Sequence, residues 1–493
     1  MTVPIESERD DGDAMSDEEE DEEQVRAPAA VQHFTEAERA ARGKAARAEV
    51  PRASHSVLES IPDRDSVGVL DEQATSRVPD LVPIRYGRML VSAFTFYRGA
   101  AAIMARDLVS TPRAGLKVQL CGDAHLSNFG GFASPERSLV FDLNDFDETL
   151  PGPFEWDVKR LAASFEIAGR DRNFSDAERR TAVLSVLRAY RESMRNFATM
   201  ANLELWYSRL DAERIMAAIT VQADKKRAKA ADRSLAKARS KDSMKAFTKL
   251  TEIVDGAPRI VSDAPLIVPL RDLAARTEGR DMEEEIRELL RAYRRTLQYD
   301  RRLLLEEFRY ADLAHKVVGV GSVGTRAWIM LLLGKDDGDP LFLQVKEAQA
   351  SVLEPHLGRS EFRNSGRRVV EGQRMMQAAS DIFLGWIRSP KGVDGVARDF
   401  YVRQLWDWKS SVDLDAISPG GLELYGQACG WTLARAHARS GDRIAIASYL
   451  GKSDVFDRAV AEFAIAYADF NERDYAALRK AVESGRITAK EGA

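Results

Sequence analysis

A chain of 493 residues exceeds one ordinary domain, so two or three lobes are the natural expectation. Its 44% hydrophobic content is that of a soluble globular protein, and its net charge of −6 is small for the length. Two cysteines, Cys121 and Cys429, exclude a disulfide framework and fit a reducing, cytoplasmic setting. No N-terminal apolar stretch resembles a signal peptide, and the apolar run AWIMLLL (327–333) is too short to span a bilayer.

The charge is uneven. ESERDDGDAMSDEEEDEEQ, residues 6–24, has almost no large apolar side chains with which to offset its ordering entropy. Residues 1–50 are therefore expected to form a disordered acidic tail that keeps the chain soluble; the minority reading is a regulatory tail that competes for a basic groove, and a protein partner could also bind through it. Residues 83–108 read as one helix with a broad apolar face. KVQLC (117–121) and SLVFDL (138–143) read as strands, and residues 156–308 are mostly helical in pattern. The basic, Ala-rich stretch 224–250 lacks interleaved aromatics, so a solvated helix is favoured over a nucleic-acid-binding one.

Near residue 314 the texture changes. Residues 315–348 are β-rich, with a Gly-rich turn, a long strand, the loop GKDDGDP and a second strand carrying Lys346. A helix is expected over 367–380, a strand over 399–406, and helices beyond. Gly319, Gly321 and Gly324 complete a G-x-G-x-x-G pattern with Ser322 inside it. A dinucleotide fingerprint needs a helix after that pattern, whereas here a strand follows. Strand, glycine turn and strand form the hairpin that covers nucleotide phosphates in protein kinases, because glycine lets backbone N–H groups approach the phosphate oxygens. Lys346 lies among apolar neighbours, where an ammonium needs an anion. ATP phosphates and a helix carboxylate would supply one, with Glu371 the first candidate and Glu354 and Glu361 the alternatives. GKS at 451–453 is not a P-loop, since Ile446 stands where its first glycine belongs. His437 reads as a packed or capping histidine.

The stretch VQLCGDAHLSNFGGFASPERSLVFDLNDFDET (118–149) places acids and amides on both sides of a strand. Phosphoryl transfer needs a carboxylate to take or orient the acceptor proton, and oxygen ligands for Mg²⁺. Asp123 is the candidate base, Asn128 a metal ligand five residues on, and Asp142 a second ligand at the end of the strand, with Asp145 the fallback. His125 lies in the same catalytic loop.

CGDAHLSN…VFDLND resembles the H-G-D-x-H-x-x-N…I-D motif of aminoglycoside and choline phosphotransferases, which belong to the protein-kinase-like superfamily. Asp123, His125 and Asn128 match position by position, Asp142 matches the metal-binding acid, and Cys121 replaces the usual histidine. GPFEWDVKRLA resembles the downstream G-D-P-x-x-D-L-A, which implies that Asp157 holds the catalytic loop. From about residue 50 onward the chain also resembles the uncharacterised bacterial domain-of-unknown-function family numbered 2252, a resemblance that brings no established reaction. In kinases the glycine hairpin and lysine precede the catalytic loop, whereas here they follow it. The expectation is therefore an α+β, kinase-like, two-lobe fold in circularly permuted order. Residues 51–310 and 406–493 would build the helical lobe and 315–405 the small β-rich lobe. The function implied is ATP- and Mg²⁺-dependent phosphotransfer to a small hydroxylated or amino acceptor, with Lys346 and the 319–324 turn on the phosphates. The rival reading is a pseudokinase-like module that binds nucleotide and regulates a partner.

Overall fold

Part of the segment expected to be a tail is helical. The computed structural model describes residues 32–59, 64–212, 240, 242–274, 282–317, 319–390, 392, 395–405 and 407–490. Residues 1–31 of the tail, and 224–239 and 241 of the basic stretch, lie outside that set. Helix α1 (Glu36–Glu49) opens with a reciprocal cap. Thr35 accepts from the Glu38 N–H, and the Glu38 carboxylate accepts from the Thr35 N–H. Gly43 presses against the backbone of Ala445, with only 2.0 Å between a Cβ placed there and the Ala445 carbonyl oxygen. The tail expectation is thus corrected for residues 36–49, which the cap and this contact order.

The single helix expected over 83–108 is three: Val82–Met89, Ala93–Arg98 and Ala101–Leu108. Ser92 is fully extended and caps the second through Thr95, so the chain restarts there. Next come β1 (Lys117–Leu120), β2 (Phe129–Ala133), β3 (Leu139–Leu143) and β4 (Leu150–Pro153). β1 pairs with β4 and β2 with β3, both antiparallel. This nesting brings the β1–β2 and β3–β4 loops side by side, and Asn144 N–H donates to Asn128 O at 2.9 Å.

Helices α2 (Phe154–Asp171) and α3 (Asp176–Phe197) follow. α2 is buried over nearly its whole length, including Glu155, Asp157, Lys159 and Arg160. Residues 156–308 are less uniformly helical than their pattern suggests. Thr251–Val254 and Ala257–Ile260 form a small hairpin, and β5 (Ile267–Pro269) joins a larger sheet. That sheet also takes in β6 (Arg309–Lys316), β7 (Ala327–Leu333), β8 (Pro340–Ala348), β9 (Gly385–Ser389) and β10 (Arg398–Gln404). Its order is β9–β10–β8–β7–β6–β5, with every neighbour antiparallel.

Strand pleating sorts the side chains of this sheet. Met330, Leu332, Leu343, Val345, Phe400 and Val402 form one core with Ile286, Leu290 and Tyr293 of helix α4 (Met282–Arg295). Ile329, Leu331, Leu333 and Phe342 face the other way, toward Ala246 and Leu250. β5 and α4, expected in the helical lobe, therefore pack with the sheet. The amphipathic pattern of α4 is visible in sequence, but the surface it covers is not.

The remaining helices are α5 (Ser365–Met376), α6 (Pro419–Ser440), α7 (Arg443–Leu450) and α8 (Val455–Glu483). Phe165, Val186, Leu433 and Phe463 join α2, α3, α6 and α8 in one core. Gly430 permits the α3–α6 contact, since a Cβ there would lie 2.3 Å from the Val186 carbonyl oxygen. The fold class is α+β with antiparallel sheets. Among the described residues no helix is long and apolar enough to cross a membrane.

Candidate active site

A cleft of about 880 Å³ opens between the six-stranded sheet and the β1–β2 and β3–β4 loops. Gln344 and Lys346 alternate with Leu343 and Val345 along β8, so the pleat turns the apolar pair into the core under α4 and the polar pair into the cleft. Lys346 is 3% exposed. Its Nζ donates to Asp147 Oδ2 at 2.7 Å and lies 3.6 Å from Asp145 Oδ1. Tyr401, opposite Lys346 in the β8–β10 register, donates its hydroxyl to Asp147 Oδ1 at 2.6 Å. Burial opposes the lysine's charge, but Asp145 and Asp147 outweigh it and hold the ammonium above its usual range.

The lysine's acidic partners are thus in the β3–β4 loop rather than on the following helix. Glu371 lies 3.4 Å from Arg374 and does not line the cleft. Glu354 accepts from Ser351 N–H, and Glu361 is exposed. The expectation that Glu371 pairs with Lys346 is corrected: the i, i+3 arginine on its own helix takes it.

The catalytic-loop candidates converge on the same cleft. Gly122 has φ +85°, and a Cβ there would sit 2.2 Å from the Glu148 carbonyl oxygen, so only glycine fits this approach of the two loops. Asp157 on α2 accepts the N–H groups of Cys121 and Gly122 at 2.6 and 3.0 Å. This is the holding role that the resemblance implied. His437 Nε2 lies 3.2 Å from the same carboxylate, with Tyr190 Oη 2.9 Å from its Nδ1, so His437 is a packed histidine backing Asp157. One turn further along α2, Arg160 clamps Asp123 Oδ1 through Nε at 2.8 Å and Nη2 at 2.6 Å. Asp123 Oδ2 remains, 3.8 Å from His125 Nε2. Burial pushes the His125 imidazole down to about 4, which leaves it neutral near pH 7.

Asn128 is 3% exposed, and its Nδ2 donates to the carbonyls of Asp123 at 3.1 Å and Asp145 at 2.9 Å. That fixes the amide and leaves Oδ1 buried without a hydrogen-bond partner. Asp145 Oδ1 is likewise buried and unbonded. Burial would raise the Asp145 carboxyl, but Lys346, Arg403 and Lys409 outweigh it and hold it below the usual range. Asp142 is elsewhere. It is 1% exposed, pairs with Arg435, and accepts from Ala378 N–H at 2.9 Å. The assignment of Asp142 as a metal ligand is corrected: its oxygens are saturated outside the cleft, and Asp145 faces in.

Gly319, Gly321 and Ser322 line the cleft on the turn between β6 and β7, while Gly324 packs against Arg77. Ser322 Oγ is 3.5 Å from Asp147 Oδ2. Sequence reasoning missed Asp147, Arg160, Tyr401 and Arg403 as site residues. Arg160 had a signal, being one turn from Asp157 on the same helix face. Tyr401 and Arg403 had one only in cross-strand register.

A family model described as uncharacterized protein conserved in bacteria, DUF2252, matches residues 77–481. The chain belongs to that family. The matched span contains the 122–128 loop, the glycine turn and Lys346, and all of the cleft lining except Gln73 and Ser76. No curated protein and no solved structure matches the chain.

Proposed function

We propose that the cleft is the active site of an ATP- and Mg²⁺-dependent phosphotransferase with a permuted kinase-like layout. The acceptor is a small hydroxylated or amino compound. One observation carries the reading: Asp123, Asp145, Asp147 and Lys346, distant in sequence, line one cleft beside a glycine turn. A phosphate site needs a buried cation and accessible backbone N–H groups, and a transfer site needs a carboxylate aimed at the acceptor.

The residues present fit a divalent cation. Asn128 Oδ1 and Asp145 Oδ1 are hard oxygen donors, buried and without hydrogen bonds. Among the described residues no group of three or more His, Cys, Asp or Glu forms a protein-only cage. Mg²⁺ characteristically combines one or two protein oxygens with water and phosphate. When bound, it would neutralise charge on the transferred group. Lys346 would exchange its contacts with Asp145 and Asp147 for phosphate oxygens. Asp123 Oδ2 would take the proton from the acceptor hydroxyl as that oxygen bonds to the γ-phosphorus and the bond to the bridging oxygen breaks, releasing ADP. Arg160 holds the other carboxylate oxygen and so orients the base.

The test is Asp123→Ala, assayed by ATP titration and by phosphate transfer against a panel of small metabolites. ATP binding should persist, and transfer should fall roughly 10²–10⁴-fold. Equal turnover in both proteins would remove the assigned base. A wild type that binds ATP tightly but transfers to nothing would be a regulatory nucleotide-binding module.

A further inference from the structure

The wall of the cleft behind the glycine turn carries three arginines for which the phosphotransferase layout has no use. Arg77, Arg85 and Arg98 all line the cleft, and among the described residues none has a carboxylate within 4 Å. Arg85 is fully buried and spends Nη2 on neutral oxygens, Gln73 Oε1 at 2.9 Å and Gly99 O at 3.1 Å. Its Nε and Nη1 are buried without partners, as are Nε of Arg77 and Nε of Arg98. Burial, with Arg77 next, pushes the Arg85 guanidinium below its usual range. Arginine nonetheless stays charged in proteins. Arg77 feels the charges of Glu148, Glu347 and Asp147 at longer range, whereas no carboxylate acts on Arg85; buried positive charge without a close counter-ion is costly, and so is a buried donor without an acceptor. A planar fork of N–H groups matches the oxygens of phosphate or carboxylate.

The wall is fastened to the glycine turn. Val78 N–H donates to Gly324 O at 2.8 Å, Arg77 donates to Val323 O, and a Cβ on Gly321 would lie 3.2 Å from Arg98 O. On its other side Arg98 feels the charges of Asp123 and Asp145. Arg98 therefore stands between the glycine turn and the candidate base, with Arg77 against the turn and Arg85 beside Arg77 on the same cleft wall.

We propose that Arg77, Arg85 and Arg98 form an oxyanion site for a phosphate-class group carried by the acceptor, so that the substrate is already anionic before transfer. The acceptor assignment rests on the phosphotransferase reading, whereas the anion site rests on the arginines alone.

The experiment is calorimetric titration of the full chain with inorganic phosphate, with and without Mg²⁺ and a non-hydrolysable ATP analogue, in wild type and Arg98→Gln. Wild type should bind phosphate while the analogue is bound. Arg98→Gln should weaken phosphate on the order of tenfold or more and leave the analogue's affinity unchanged. Arg85→Met should do the same if it folds, and the wild-type titration decides the matter if it does not. Absence of phosphate binding to wild type overturns the proposal. So does mutual exclusion of phosphate and analogue with Arg98→Gln weakening both, because the arginines would then serve the nucleotide. If phosphate binds through Arg98 but no analogue binds, the anion site stands and the phosphotransferase reading falls.

Discussion

Asp142 and Asp145 are three residues apart, and their substitutions should fail in different ways. Asp142 and Arg435 are each 1% exposed and pair with one another. In Asp142→Asn the guanidinium stays buried and charged with no anion beside it, a change that costs about 3–5 kcal/mol. Asp145 has a side chain 44% exposed to the cleft, and without it Lys346 still holds Asp147 at 2.7 Å. Asp145→Asn should therefore cost the fold less than about 1 kcal/mol. Its effect should fall on binding, where Mg²⁺-dependent ATP affinity drops on the order of tenfold or more as a charged oxygen ligand is lost. The assay pairs urea unfolding, followed by tryptophan fluorescence, with ATP titration in the presence and absence of Mg²⁺. If Asp142→Asn loses nucleotide binding at unchanged stability, while Asp145→Asn binds as wild type does, the assignment is reversed and the reasoning is refuted.

Lys346→Met should weaken ATP binding about tenfold or more, because the buried ammonium that now holds Asp147 and would meet the phosphates is removed; unchanged affinity would take Lys346 out of the site. Gly122→Ala should destabilise the chain by at least about 1 kcal/mol and abolish transfer, since φ +85° and the Glu148 carbonyl both exclude a Cβ; a wild-type melting temperature with full activity would contradict this. Lys159, buried over the Phe463 ring at 4.6 Å, is pushed down to about 7 by burial. Below pH 7 it is charged in both folded and unfolded chains and its burial cost is complete; the cost fades as pH rises from about 7 toward the unfolded value of 10.5. Burial also pushes Glu155 up to about 7, so near pH 6 Lys159→Met does not strand a carboxylate. The variant should be more stable than wild type by about 1–4 kcal/mol near pH 6, with the gain shrinking by pH 9. A gain that grows with pH would show the sign to be wrong.

What was legible in the chain was local. The glycine turn between two strands, the lysine in an apolar strand and the acid-and-amide loop each depend on residues a few positions apart, and each reaches the cleft, with Gly324 and Asp142 the residues that do not. The strands KVQLC and SLVFDL were legible because alternation and turn chemistry act over that same range. The tail expected from acidic composition was carried to residue 50 and so overran α1, whose order comes from a cap and from the contact of Gly43 with Ala445.

The choices that tertiary structure made are those in which a side chain meets a partner from far along the chain. Asp142 became a buried ion-pair partner because Arg435 on α6 reaches it, which left Asp145 for the cleft. Lys346 met Asp147 rather than Glu371 because β8 pairs with β10 and the β3–β4 loop closes beneath them. α4 covers a sheet face rather than joining the helical core, since an amphipathic pattern specifies that a face is buried but not against what. In sequence Arg85 and Arg98 look like ordinary surface residues of the expected 83–108 helix, and Arg77 like a residue of the loop before it. They come to share a cleft wall only where the glycine turn, more than two hundred residues later in the chain, meets Arg77 and Arg98. Charge in a sequence has a sign but no solvent exposure, and it is the tertiary structure that puts these three arginines on one cleft wall.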